Sequence, residues 1–79
     1  MKKRPLVMIE WEDIAAHSSW IEEDSQPEAS DTIHCVTVGW RIKSNKRMIV
    51  ITSTRADTKK CTDRMSIPRG CIKSIRRLE

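Results

Sequence analysis

Apolar and polar positions change period several times along the chain, and each change marks an element. Residues 6–12 alternate, with Val7, Ile9 and Trp11 on one face and Met8, Glu10 and Glu12 on the other. Period two with an acidic face predicts a half-buried strand, and Pro5 sits at its start, where a missing donor is tolerated. From Asp13 to Ile21 the period lengthens: Ile14, His17 and Ile21 have helical spacing, and Asp13 is a candidate cap. Ser18-Ser19 limits that segment to a turn or two of helix or an irregular insertion. Glu22 to Thr32 is acidic, holds one proline and lacks large apolar side chains, which predicts an exposed, mobile loop.

Alternation returns over residues 33–43. Val36, Val38, Trp40 and Ile42 share a face with His34, while Cys35, Thr37, Gly39, Arg41 and Lys43 share the other. Gly39 inside a strand predicts a bulge or sharp bend, which curls a small sheet. Ser44-Asn45-Lys46 reads as a polar turn, and the β-branched run at 47–54 completes a hairpin. A polar, basic loop at 55–63 precedes a short strand at 64–68 that Pro68 ends, and Arg69-Gly70 turns the chain into a last strand at 71–78 with Ile72, Ile75 and Leu78. The expected fold is all-β: one domain over 1–79, a small five-stranded, strongly bent, partly open barrel with the insertion after strand one and the acidic loop at about 22–32.

Composition narrows the function. The chain has 79 residues, 38% hydrophobic and 33% charged, so it carries a thin core under a charged surface. The longest purely apolar stretch, Met48 to Ile51, is far short of a membrane span. Met1-Lys2-Lys3-Arg4 is basic, but Leu6 to Ile9 is too short for a signal-peptide core, so a cytoplasmic protein is expected. The net charge of +4 conceals a division: eight acids and no Lys or Arg from Glu10 to Asp31, then twelve bases and three acids from Thr32 to Glu79. Such asymmetry fits a nucleic-acid face with an acidic screen, two faces that meet in neighbouring subunits, or simply a solvated surface of mixed sign. Lys59, Lys60, Arg64, Lys73, Arg76 and Arg77 form the basic cluster best suited to a phosphate backbone.

Cys35, Cys61 and Cys71 contain no Cys-x-x-Cys pair, and together with His34 they match no metal-ligand spacing, so neither metal nor cofactor is expected. His17 and His34 belong to no catalytic set, there is no glycine-rich phosphate loop, and only two glycines are present. An enzyme with a small-molecule substrate is not expected. Trp11 and Trp40 read as structural, and Trp20, beside the acidic loop, as the exposed aromatic.

Ile67-Pro68-Arg69-Gly70-Cys71-Ile72-Lys73-Ser74-Ile75 resembles the second signature of Sm and Sm-like proteins: an apolar residue, one residue, Arg-Gly, one residue, then Ile-x-x-Ile. Gly39 and Met48 match the glycine and methionine of the first signature at the right interval, while Asn45 stands where the family carries Asp and Ile49 where it carries Asn. The run Val7-x-Ile9-x-Trp11-x-Asp13, with Trp20 and Gly39-Trp40, is also similar to small phage-encoded proteins without an assigned function. The Sm-like resemblance implies a homo-oligomeric ring of roughly five to seven subunits in which the fourth strand of one subunit pairs with the fifth of the next. Met65, Ile67, Ile72 and Ile75 would form that interface. It further implies single-stranded RNA bound by Arg69, Gly70, Asn45 and Lys73. The competing expectation is a structural or protein-interaction adaptor that binds no nucleic acid, with the acidic segment facing its partner.

Overall fold

A computed structural model describes residues 1–14, 20, 22, 24 and 32–79. Five strands run β1 (Leu6–Ile14), β2 (Thr32–Ser44), β3 (Met48–Arg55), β4 (Cys61–Pro68) and β5 (Ile72–Arg77), with one 3-10 turn, η1 (Arg69–Cys71), between the last two. They form a single antiparallel sheet in the order β4-β3-β2-β1-β5. The sheet is not closed into a barrel: β4 and β5 are its two free edges. The expected insertion after strand one and the acidic loop fall largely outside the described residues, of which Trp20, Glu22 and Asp24 are exposed.

The core is thin, as the composition requires. Val7 and Ile9 from β1, Ile49 and Ile51 from β3, and Ile67 from β4 are buried in one cluster, against which Trp11 and Ile72 pack. Each such aliphatic side chain contributes roughly 1.5–3 kcal/mol on burial. The alternation of β1 builds the core as read from the sequence, and the β-branched run of β3 supplies Ile49 and Ile51 to it.

The face of β2 that meets this core is the small and polar one. Gly39, Thr37 and Cys35 stand opposite Val7, Ile9 and Trp11, and cross-strand partners project to the same side. Val36 and Val38 are turned outward and left 55% and 48% exposed. The reason lies at Gly39. A Cβ there would lie 2.8 Å from the Thr52 carbonyl oxygen and 3.4 Å from the Ile51 Cβ, so the backbone of β3 crosses where a side chain would stand. Small residues on β2 let the larger side chains of β1, β3 and β4 close over it. Register shifts between Arg41 and Lys43 and between Glu10 and Trp11 add local coiling on either side. Trp11 donates its indole N–H to Thr37 Oγ1 at 2.9 Å, which satisfies its polar atom at the core margin. Buried Thr52 hydrogen-bonds to the Thr62 carbonyl and joins β3 to β4.

Three boundaries differ from the sequence reading. Asp13 and Ile14 continue β1, paired with Ile33 and Thr32, so Asp13 is a strand residue and caps no helix. The β1–β2 ladder extends two residues beyond the apolar alternation because backbone pairing needs no apolar side chain. For the same reason β4 begins at Cys61: Thr54 and Arg55 pair with Thr62 and Cys61 along an exposed stretch that carries no apolar period. The β3–β4 connection shrinks to residues 56–60, closed by Ala56 N–H to the Lys60 carbonyl at 2.8 Å.

Candidate nucleic-acid and assembly surfaces

Two loops distant in sequence meet at one end of the sheet. In the β2–β3 turn, Asn45 Oδ1 accepts the backbone N–H groups of Arg47 at 2.8 Å and Met48 at 2.9 Å, the short-range bonding that suits Asn to turns. Arg69, in η1, reaches this turn: its Nε donates to the Asn45 carbonyl at 3.0 Å and an Nη to Ser44 Oγ at 2.7 Å. Its backbone N–H continues the β3–β4 ladder to the Arg47 carbonyl at 2.9 Å. Asn45 and Arg69 are thus neighbours, both exposed. Gly70 lies beside them with open space where a Cβ would be, and without a positive φ. No contact with the described residues requires glycine there.

Lys73 is elsewhere. It lies in β5, and its Nζ is 2.8 Å from Glu12 Oε1 on β1. The hydrogen bond that Lys73 donates to Glu12, then the charges of Glu12 and Glu10, hold Lys73 above the ordinary lysine value. The structure therefore brings together Asn45, Arg69 and Gly70 and separates Lys73 from them.

The four expected interface residues divide between core and edge. Ile67 is buried and Ile72 is half-buried against the core. Met65 and Ile75 are each 40% exposed, one on each free edge strand. Met65 stands opposite Ile51 and Ile75 opposite Ile9, so both project on the core side of the sheet. Each edge ends in an exposed apolar side chain adjoining a buried isoleucine.

The feature that the sequence reading did not assemble is a groove of about 1210 Å³ on the opposite face of β3 and β4. Met48, Val50 and Ser66 line it, alternating with buried Ile49, Ile51 and Ile67. One wall is the N-terminal segment with Lys2 and Arg4, held by Arg4 Nη1 donating to the Ile42 carbonyl at 3.2 Å and by Arg55 bonding the Lys2 carbonyl. The other wall is the β3–β4 hairpin with Lys59, Lys60 and Arg64. Lys43 and Asn45 also line the groove. The signal in the sequence was Lys59-Lys60 and Arg64. What joins them to Lys2, Arg4 and Lys43 is tertiary, so local pattern could not show it.

Among the described residues there is no group of three or more His, Cys, Asp or Glu side chains placed to hold a metal. Cys35 and Cys71 are half-buried free thiols and Cys61 an exposed one. No described helix is long and apolar enough to cross a membrane. Trp20 is fully exposed and Trp40 half-buried. Compared with protein-family models, with curated proteins and with solved structures, the chain matches none.

Proposed function

We infer that this chain is a non-enzymatic assembly subunit that closes into a homo-oligomeric ring of the Sm-like kind and binds single-stranded RNA at the Asn45–Arg69 loops. The observation that carries this reading is the pair of free edges. An antiparallel sheet that ends in β4 on one side and β5 on the other offers two different edges, which join head to tail. Each edge adds an exposed apolar side chain, Met65 or Ile75, on the core side. A neighbour's strand laid there would extend both the hydrogen-bond ladder and the thin core. Heterologous pairing of this sort closes when the rotation per subunit allows it, and closure removes every edge. The RNA element rests on the Arg69–Asn45 juxtaposition, on Gly70 with open space at its Cα, and on the resemblance in sequence.

Two single variants test the assembly. Met65→Lys places a charge on the β4 edge and Ile75→Lys on the β5 edge. Each variant alone should sediment as a monomer. Mixed in equal amounts they should form a dimer and nothing larger, because each keeps the edge the other has lost. Oligomers that survive both substitutions would refute the edge-to-edge arrangement.

A further inference from the structure

We propose that the groove between the N-terminal segment and the β3–β4 hairpin, which touches the loop cluster at Asn45, is a second binding channel for the phosphate backbone of a single-stranded nucleic acid, held by charge and without reading of the bases. This goes beyond the ring reading and does not depend on assembly, since one subunit supplies all of the groove.

The charge is one-sided. Seven bases line the groove: Lys2 and Arg4 on one wall, Lys43 at the end of β2, and Arg55, Lys59, Lys60 and Arg64 on the hairpin. Among the described residues, the single acid in its lining is Asp63. The Lys73–Glu12 ion pair and the His34–Glu10 contact at the β1–β5 end of the sheet involve none of these seven. Like charges gathered in a concave surface focus a positive potential and draw a polyanion of matching density. A nucleic-acid strand supplies one charge per residue, and neutralising its phosphates releases counterions.

The backbone conformation points to the same hairpin. Lys59 sits at φ 66°, the left-handed region that a hairpin loop usually assigns to glycine or asparagine. Asp63, the acid in the lining, shares this conformation at φ 56°, so both strained residues of the described backbone line the groove.

The lining also limits what is read. None of Trp11, Trp20 and Trp40 lines the groove, so it offers no platform on which bases could stack. The bases of β5 are excluded as well: Lys73 is paired to Glu12, and neither Arg76 nor Arg77 lines the groove.

The test is fluorescence anisotropy with labelled oligouridine, oligoadenosine and oligothymidine at several salt concentrations, on the full chain. With the loop site removed by Arg69→Ala, the protein should bind all three within about threefold, with log affinity falling by about 0.7 per log unit of salt for each phosphate contacted. Lys59→Glu with Lys60→Glu should weaken binding at least about tenfold and reduce the salt slope by about 1.4. Arg76→Glu with Arg77→Glu, at β5, should change affinity less than about twofold. All these side chains are exposed, and circular dichroism verifies the fold of each variant. Preference for oligouridine over oligothymidine would mark a 2′-hydroxyl contact and overturn pure backbone recognition. Equal weakening by the β5 pair, no binding by wild type at low salt, or tighter binding of polyglutamate than of oligouridine would overturn the channel, the last in favour of an acidic protein segment. Arg69→Ala separates this site from the loop cluster: it should leave the loss caused by the hairpin pair undiminished.

Discussion

At the β1–β5 end of the sheet's outer face, Glu10 lies 3.6 Å from His34 and Glu12 lies 2.8 Å from Lys73. At the β3–β4 end the same face carries a groove lined, among the described residues, by seven bases and one acid. The sequence places nearly all acids before residue 32 and nearly all bases after it, so composition alone would put both ends in the same state. Topology decides otherwise. The strand order returns β5 to the side of β1, where a late base meets early acids. The β3–β4 hairpin lies across the sheet from β1, and among the described residues its bases share their groove with the basic N-terminal segment and the single acid Asp63. Net charge of a small domain is therefore a poor guide to where charge is left unneutralised.

The two ends share one core, and the largest effects should come from where they join. Ile9→Ala removes a fully buried side chain on β1 and should cost about 2–5 kcal/mol, measured by urea unfolding. It should loosen both ends together, because the cluster spans β1, β3 and β4. A loss confined to the β1–β5 end, read by amide exchange, would show that the ends fold separately.

Gly39→Ala comes next. The new Cβ meets the backbone of β3 rather than a flexible side chain, so the strand itself must move. The expected cost is about 1–3 kcal/mol in the same measurement. Gly70→Ala, with open space at its Cα, should leave the stability of the isolated subunit unchanged and thereby separate a glycine needed by the fold from one that is not.

A change confined to the β3–β4 end follows. Thr52→Val keeps the shape but removes the buried hydroxyl that bonds the Thr62 carbonyl, and should cost about 1–3 kcal/mol. Amide protection should fall along β4 before it falls along β5.

The smallest effect belongs to the ion-paired end. Glu12 holds Lys73 above its ordinary value in the folded state. A base whose folded value is raised contributes stability in full below its unfolded value and loses it as pH rises through the folded one. Wild type should therefore lose a small increment on the alkaline side of the lysine range, and Glu12→Gln should lack it. Urea midpoints across that range give the comparison, and identical pH profiles would show that the pair contributes nothing.

Much of the fold was legible because its driving force is local. The alternation around Val7 and Ile9 fixes which face of β1 is buried, and Gly39 marks the bend. The outward turn of Val36 and Val38 was not legible. Their own strand offers the more apolar face, and only the passage of β3 over Gly39 selects the other. The extent of β4 was hidden because Cys61 to Arg64 pair through backbone alone. Of the candidate site, Asn45, Arg69 and Gly70 lie together, while Lys73, expected with them, is held by Glu12 on β1. The basic residues at 59–64 and 73–77 look like one cluster along the chain and stand at opposite sides of the sheet.

The central claim is that the two edges of this sheet complete one another between copies. The most direct measurement is the absolute mass of the wild-type protein by light scattering on a sizing column. A single species of roughly five to seven subunits, unchanged on dilution, is the predicted result. A monomer at the same concentrations would contradict it, and Met65 and Ile75 would then be ordinary exposed side chains on two unpaired strands.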